Sequence, residues 1–330
     1  MAKKVYVGMS GGVDSSVTAA LLKEQGYEVT GVYMKNWSQD LPGFACPWKE
    51  DYQDAKRVAV QLGIPFKLYD FETQYRRKVV DYMVREYRAG RTPNPDIMCN
   101  QEVKFKLFLE TALEDGADLI ATGHYARSRD GQLLTGLDPN KDQSYFLYRV
   151  TEEALRRSLM PVGEMEKPAV RELARKLGLA TADKKDSQGI CFVGKVGIKE
   201  FLLHELGPQP HGPILDQKGR EIGEHDGAIF YTIGQRHGLN VGGGLPYYVS
   251  RKDMETNTVY VTTNLEDQDL WSERLTLEDM HWIDGRPAAD KRYQARLRYR
   301  GPLVDCRLEG DKTLLLAEPQ RGIAAGQSAV

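Results

Sequence analysis

The segment Ser10-Gly11-Gly12-Val13-Asp14-Ser15-Ser16 constrains the fold of this chain more than any other feature of its sequence. It follows a short apolar run at residues 5–9, typical of a buried strand, and it overlaps the start of a helical pattern at residues 14–25. Two glycines between a strand and a helix let backbone N–H groups approach phosphate oxygens without interference from Cβ atoms. Serine hydroxyls and the positive end of the helix would add to this attraction. Residues 10–16 therefore predict a phosphate-binding loop (the phosphate loop).

The sequence of the phosphate loop differs from two common nucleotide-binding motifs. No Gly-Lys-Ser/Thr follows it, so it is not a Walker A motif, and it lacks the G-x-G-x-x-G pattern typical of dinucleotide sites. A tight turn with a serine cap is the plain structural alternative. Asp14 would repel a bound phosphate, so we expect it to cap the helix or to help hold a cation such as Mg²⁺.

Strands and helices alternate through the first part of the chain, which predicts an α/β fold with a Rossmann-like parallel sheet. A stiff segment at residues 207–213 contains three prolines and two glycines, and short strands separated by turn residues follow it. We therefore expect a phosphate-loop domain followed by two small all-β domains, with boundaries at residues 1–206, 207–270 and 271–330. Helices are expected over 51–62, 74–88, 103–114 and 167–178, and further strands over 28–34, 65–69 and 118–123.

Charge and cysteine content limit the class of protein. The formal net charge of −2 excludes a globally basic nucleic-acid binder, although a local basic face is compatible with it. Four widely spaced cysteines are too few for a secreted disulfide scaffold. No apolar run approaches the ~20 residues that a membrane span needs, and the N-terminus lacks a signal-peptide pattern. A cytoplasmic location is expected.

Cys99 and Cys191 are the candidates for thiol chemistry. Cys99 precedes a helix expected to open near Gln101, and a helix N-terminus favours the thiolate. The two prolines upstream of Cys99 would present Asn94 and Asp96 in a fixed geometry. Cys191 lies in a glycine-flanked loop that would carry the thiol between positions.

Each cysteine by itself is more often a small buried apolar residue than a catalytic one. Metal binding has weak support, because the chain holds no C-x-x-C or H-x-x-x-H pair. An iron–sulfur cluster held by three distant cysteines is a further alternative that the sequence allows.

These motifs resemble the tRNA-specific 2-thiouridylases, a family within the PP-loop ATP pyrophosphatases, whose loop reads S-G-G-x-D-S. The resemblance extends over nearly the whole chain, except that family members run further into a glycine-rich closing strand. We therefore expect the C-terminal β domain to lack its last strand. The matching stretches lie at residues 8–16, 34–37, 89–96, 121–125, 140–147, 232–236, 319–330 and around Cys191.

The resemblance implies an ATP site with Mg²⁺ near Asp14, where ATP is cleaved between its α and β phosphates. Adenine would lie near Met34 and Gly123, beyond the carboxyl ends of parallel strands. The implied ATP-binding residues are Gly8, Met9, Ser10, Gly11, Gly12, Val13, Asp14, Ser15, Met34 and Gly123.

The resemblance also implies the sulfur chemistry. Cys191 would receive sulfur as a persulfide from a donor protein, either a sulfur carrier or a cysteine desulfurase. Cys99 would be the nucleophile that attacks this persulfide and forms a Cys99–Cys191 disulfide. The target would be the C2 oxygen of the wobble uridine in the tRNAs for lysine, glutamate and glutamine, with Asp96 as a candidate acid or base.

A basic segment at residues 291–300 holds five cationic residues and no acid, and it reads as a strand with one charged face. By itself this pattern is as well explained by a solvated strand face. The family resemblance implies tRNA contacts at Asn94, Pro95, Asp96, His124, Lys141, Asp142, Gln143, Arg298, Tyr299 and Gln327.

Three other functions fit parts of the sequence. Another PP-loop enzyme, such as a tRNA-lysidine synthetase or an argininosuccinate-synthetase-like ligase, would not require the paired thiols. A nucleotide-sensing tRNA-binding protein would bind both ligands without releasing pyrophosphate. A thiol redox switch would form the Cys99–Cys191 disulfide without transferring sulfur.

Overall fold

The computed structural model describes residues 2–41, 43, 45–186, 197–239, 241–242, 244–288 and 291–330. No described helix is long and apolar enough to cross a membrane. The chain divides into two compact units. The first unit comprises Met1–Val80, Pro95–Gly197 and His281–Gly285, and the second comprises Asp81–Asn94, Ile198–Met280 and Arg286–Val330.

A parallel sheet forms the centre of the first unit. The strands of this unit are β1 (Lys4–Gly8), β2 (Glu28–Lys35), β3 (Phe66–Asp70), β4 (Leu119–Ala121), β5 (Ala126–Arg129), β6 (Gln132–Thr135) and β7 (Ser158–Leu159). Five of them pair in parallel in the order β3-β2-β1-β4-β7, while β5 and β6 form a separate hairpin. Because β1 pairs with β2 on one side and β4 on the other, the strand order reverses beside β1, where α/β sheets bind ligands.

Helices cover this sheet because their apolar residues recur on one face. In α2, for example, Ala55, Val58 and Ala59 are buried, and Gly63 ends the helix in the left-handed conformation. The α-helices of the chain are α1 (Val13–Glu24), α2 (Trp48–Leu62), α3 (Glu72–Tyr75), α4 (Asp81–Arg88), α5 (Pro95–Met98), α6 (Phe108–Glu114), α7 (Glu152–Arg156), α8 (Lys167–Lys176) and α9 (Ile198–Leu206). Two π-helical segments, Arg76–Val80 and Cys99–Leu107, join α3 to α4 and α5 to α6.

The helix that carries Cys99 begins earlier than expected. The two prolines before Cys99 indicated a stiff loop up to Gln101, but helix α5 starts at Pro95 and continues through the π-helical segment. Proline fits the first position of a helix, because its missing N–H is one that the helix leaves unpaired anyway. Cys99 consequently lies in the second turn of a helix, not before its first turn.

The second unit contains two four-stranded sheets. Its strands are β8 (Gly212–Leu215), β9 (Glu221–His225), β10 (Tyr248–Asp253), β11 (Thr258–Thr262), β12 (Trp271–Thr276), β13 (Tyr293–Arg296), β14 (Leu303–Glu309) and β15 (Thr313–Arg321). One sheet has the order β10-β11-β8-β9, with β11 parallel to β8, and the other is antiparallel with the order β12-β15-β14-β13. The α/β fold class followed by small β domains is thus confirmed. The three domain boundaries stay predictions.

The basic segment at residues 291–300 is only partly a strand. Strand β13 ends at Arg296, and residues 297–300 form a turn (the basic turn) closed by a hydrogen bond from Gly301 N to Arg298 O. Arg300 adopts a left-handed φ of 58°, which a continuing strand would not allow. The expectation of a strand with one charged face over residues 291–300 was therefore wrong beyond Arg296.

Candidate active site

The phosphate loop connects β1 to α1 and is shaped by its own serines. Gly12 is the N-cap of α1, and both the Ser15 and Ser16 hydroxyls donate to its carbonyl oxygen, at 3.2 and 2.8 Å. Ser10 N in turn donates to Ser15 Oγ at 3.2 Å. In this arrangement two of the expected hydroxyl donors fix the conformation of the loop. Backbone N–H groups and the helix N-terminus are then the main means of attracting an anion.

Two glycines are required by close packing around the loop. Gly11 has a φ of 75°, and a Cβ atom there would lie 2.3 Å from Asp51 O. A Cβ atom at Gly123 would lie 2.7 Å from Ser15 N, so the segment after β4 rests directly on the first turn of α1. Three residues that were predicted to bind ATP lie together at the carboxyl end of the sheet: Gly8, Gly123 and Met34.

Asp14 does not cap the helix. It is the second residue of α1, whose cap makes no side-chain hydrogen bond. The Asp14 carboxylate instead accepts from Lys167 Nζ at 2.7 and 2.9 Å and from Tyr125 Oη at 2.7 Å. The cation that Asp14 contacts in this structure is a lysine 153 residues further along the chain, and the Mg²⁺ expected near Asp14 stays a prediction. Sequence reasoning missed Lys167, because it noted only the helix that this residue begins.

Asp186 links Lys167 to two further cations. Its carboxylate contacts Lys141 Nζ at 2.8 Å, Lys167 Nζ at 2.8 Å and Arg171 Nη2 at 2.6 Å. Burial, the largest influence, would raise the pKa of Asp186, but its ion pairs with Lys141 and Lys167 outweigh it and lower this pKa to about 2. Asp186 is therefore ionised at neutral pH.

Cys99 is the first residue of the π-helical segment and is buried, with 2% of its surface exposed. Segments of this kind are frequent at functional sites. Asp96 lies one turn earlier, and burial raises its pKa, although the positive charge of Lys104 partly counteracts this. A carboxyl group with a raised pKa is suited to proton transfer. Cys191 and its glycine-flanked loop lie outside the described residues.

Six residues predicted to contact tRNA lie in the first unit, and His124, Lys141, Asp142 and Gln143 among them have described partners within it. His124 is buried against Phe105 with its Nδ1 atom 2.8 Å from Thr122 Oγ1, and burial lowers its pKa well below the ordinary value. Asp142 accepts from Gly136 N and Ser144 Oγ, and Gln143 Oε1 accepts from Tyr125 N. Lys141 contacts Asp186. Their assignment to tRNA stays a prediction.

Other tRNA candidates lie in the second unit. Gln327 Nε2 donates to Thr92 O at 2.6 Å, and Thr92 N donates to Ala325 O at 2.8 Å. The end of the chain therefore fixes the backbone two residues before Asn94. Arg298 is exposed in the basic turn, beside the half-buried Tyr299.

The remaining described cysteines have no sign of catalytic activation. Burial raises the pKa of both Cys46 and Cys306, which keeps each thiol protonated. Cys306 is one of the alternate residues of β14 that face the core. Within the described ranges, no group of three or more His, Cys, Asp or Glu side chains is arranged to hold a metal ion.

Comparison with family models accounts for nearly the full length of the chain. Residues 3–195 match a tRNA methyl transferase HUP domain, and residues 199–263 match a tRNA methyl transferase PRC-barrel domain. Residues 272–330 match an aminomethyltransferase beta-barrel domain. The matched ranges follow one another in the order of a parallel-sheet domain and two β domains.

Individual relatives are similar over the whole chain. A tRNA-specific 2-thiouridylase MnmA of Geobacillus thermodenitrificans is 49% identical over 337 residues, which cover 99% of this chain and 91% of the relative. Proteins of the same name from Streptococcus mutans and Francisella tularensis subsp. novicida are 48% identical, cover 99% of this chain and are themselves covered over 91% and 95% of their length. Among solved structures, a 4-thiouridine synthetase–RNA complex with bound ATP is similar over 62% of this chain and 50% of its own, at 19% identity and a TM-score of 0.40.

Proposed function

The chain belongs to the family of tRNA-specific 2-thiouridylases, and on that premise we propose how its residues replace the C2 oxygen of a tRNA uridine with sulfur. It is an ATP-dependent tRNA sulfurtransferase. The observation that carries the mechanism is that the phosphate loop and the buried Cys99 lie in the same compact unit. The substrate position we propose is the wobble uridine of the tRNAs for lysine, glutamate and glutamine.

The first step activates the uridine. A carbonyl oxygen is a poor leaving group, so the C2 oxygen attacks the α-phosphorus of ATP and pyrophosphate departs with the electrons of the α–β bond. The backbone of the phosphate loop and the N-terminus of α1 bind the phosphates, while Met34 and Gly123 border the adenine. Both oxygens of Asp14 already accept from Lys167, so the protein does not present a free carboxylate for Mg²⁺ here. Mg²⁺ would arrive on the phosphates of ATP.

The second step transfers sulfur. A donor protein, a sulfur carrier or a cysteine desulfurase, loads Cys191 as a persulfide. The Cys99 thiolate attacks the Cys191 sulfur atom, the persulfide bond breaks, and a Cys99–Cys191 disulfide forms. The released sulfide attacks C2 and AMP leaves with the original oxygen. An external thiol reductant returns the two electrons that restore both cysteines.

Asp96 would serve this chemistry as an acid or base. Its raised pKa favours the protonated form, and it lies one helical turn from Cys99. Asn94 and Pro95 precede it, at the point where the family resemblance implies contact with the flipped-out base. The basic turn, Gln327, His124 and residues 141–143 would contact the tRNA elsewhere, mostly through its phosphates and shape.

The decisive experiment is incubation of the protein with unmodified tRNA, ATP, Mg²⁺ and a persulfide donor (a cysteine desulfurase with free cysteine), followed by mass spectrometry of the nucleosides. We expect 2-thiouridine at the wobble position and stoichiometric pyrophosphate. The same spectrum distinguishes sulfur replacement from methylation, which is the activity that the matching domain models are named after. Pyrophosphate release without 2-thiouridine would contradict sulfur transfer while leaving ATP cleavage intact.

A further inference from the structure

Lys167 is a buried cation beside the phosphate loop that the steps described so far do not use. Only 7% of its surface is exposed, which is unusual for lysine unless the ammonium group is paired. Its Nζ atom lies 2.7 Å from Asp14 Oδ1 and 2.8 Å from Asp186 Oδ1. Because Asp14 belongs to the phosphate loop and is the second residue of α1, this ammonium group is held next to the expected phosphates.

Several contacts fix Lys167 in this position. It is the first residue of α8, and its backbone N–H donates to Asp138 Oδ2 at 3.0 Å. The Nζ atom lies 5.6 Å from the centre of the Tyr125 ring, and the hydroxyl of the same tyrosine donates to Asp14. Contacts with Asp14, Tyr125 and Asp138 therefore determine where the ammonium group lies.

The electrostatics of the loop require a cation at this point. An ionised Asp14 cancels part of the positive field at the N-terminus of α1 and would repel a triphosphate. Lys167 neutralises that charge. Lys141, Lys167 and Arg171 also converge on the one carboxylate of Asp186, so the site already holds an anion among three cations.

We propose that Lys167 binds the phosphate chain of ATP and stabilises the pyrophosphate that leaves, with Asp14 as the residue that positions it. On ATP binding the ammonium group keeps its contact with Asp14 and exchanges Asp186 for a β- or γ-phosphate oxygen. Negative charge on these oxygens grows as the α–β bond breaks, so the contact strengthens in the transition state. This inference rests on the proposed use of ATP and adds to it a residue outside the phosphate loop.

The test is equilibrium binding of two nucleotides to the full chain and its variants. The probes are α,β-methylene-ATP, which cannot be cleaved between its α and β phosphates, and AMP, which lacks the phosphates that Lys167 would contact. For Lys167→Met we expect binding of the ATP analogue to weaken about 10- to 100-fold and AMP binding to change by less than about 2-fold. Lys67→Met is the matched control, because Lys67 pairs with Asp115 in the same unit and should leave both affinities unchanged.

A double variant, Asp14→Asn with Lys167→Met, separates phosphate binding from simple charge balance. It leaves no unpaired carboxylate at position 14, so it should fold even if Lys167→Met does not, and it should bind the analogue as weakly. Recovery of normal binding in the double variant would show that Lys167 only neutralises Asp14, and would overturn the proposal. Equal losses for both nucleotides, or none for either, would overturn it as well.

The same measurements keep this inference apart from the proposed function. Weakened analogue binding in Lys167→Met, with a wild-type protein that makes no 2-thiouridine, would contradict sulfur transfer alone. Formation of 2-thiouridine by the wild type, with unweakened binding in Lys167→Met, would contradict the role of Lys167 alone.

Discussion

The phosphate loop and the basic turn differ in how their side chains are held. Asp14 in the loop is fixed by Lys167 and Tyr125 from distant parts of the chain, and Gly11 packs against backbone. Arg298 in the basic turn is exposed on a short connection between two strands. The first arrangement suits chemistry that depends on position, whereas the second suits attraction of a polyanion by charge.

This difference predicts two kinds of mutational effect. Substitutions near the loop and Cys99 should abolish single steps, whatever the ionic strength. Substitutions in the basic turn should weaken tRNA binding by modest factors that depend on salt. A salt-dependent loss near the phosphate loop, or a salt-independent loss in the basic turn, would contradict this difference.

Cys99→Ser should have the largest effect. A serine hydroxyl cannot attack the persulfide and form the disulfide, so 2-thiouridine formation should fall below detection. Adenylation precedes this step, so pyrophosphate release in the first turnover should stay within about 3-fold of wild type. Mass spectrometry of nucleosides and a pyrophosphate assay measure the two steps. Cys306→Ser, which alters a buried thiol of the C-terminal sheet, should keep both activities.

Loss of first-turnover pyrophosphate release in Cys99→Ser would mean that this residue also shapes the ATP site. Cys99 and the phosphate loop would then form one structural unit whose two functions cannot be separated by this substitution.

Gly11→Ala should have the next largest effect. The new Cβ atom would lie 2.3 Å from Asp51 O, and the backbone φ of 75° would add strain. The loop must shift to relieve this contact, so we expect ATP binding to weaken by about 100-fold or more. Gly116→Ala is the matched control, because Gly116 has a similar φ of 92° with nothing within 4 Å of the new atom. Wild-type ATP affinity in Gly11→Ala would show that the loop tolerates the contact with Asp51, and an equal loss in Gly116→Ala would indicate a general loss of stability.

The loop also shows how far sequence reasoning reaches. Strand β1, the loop and α1 were predictable because apolar runs, glycines and helix periodicity are local signals. The pairing of Asp14 with Lys167 was not, since no local pattern links residues 153 positions apart. The early start of the Cys99 helix was missed because Pro95 indicates a loop in sequence but suits the first turn of a helix.

Arg298→Ala should have a smaller effect, confined to tRNA binding. Removal of one phosphate contact should weaken binding of unmodified tRNA several-fold and reduce the slope of log K against log salt by about 1. Fluorescence anisotropy at a series of salt concentrations measures both quantities. Arg307→Ala removes the same charge from an exposed position of β14, outside the basic turn, and should change neither. Equal losses from the two variants would mean that overall charge of this sheet, and not the turn, attracts tRNA.

Asp96→Asn should have the smallest effect, which is a small gain in the stability of the fold. Burial raises the folded-state pKa of Asp96, so its ionised form is a cost to the fold once the pH exceeds the unfolded-state value of about 4. Asparagine removes that cost. We expect the melting temperature at neutral pH to rise by roughly 1–3 °C, and the gain to disappear as the pH falls below about 4.

Asp115→Asn supplies the reverse control for this pH dependence. The hydrogen bonds from Lys67 and Tyr69 lower the pKa of Asp115, so its ionised form stabilises the fold above the unfolded-state value, and its removal should lower the melting temperature at neutral pH. If Asp96 also acts as an acid, wild-type activity should decline as the pH rises through its raised pKa, and the Asn variant should show low activity without that decline. A stabilised Asp96→Asn variant with an unchanged activity profile would leave Asp96 as a buried carboxyl group without a part in sulfur transfer. A gain in stability with a flattened profile would place it, like the phosphate loop, among residues that the fold holds at some cost for the sake of chemistry.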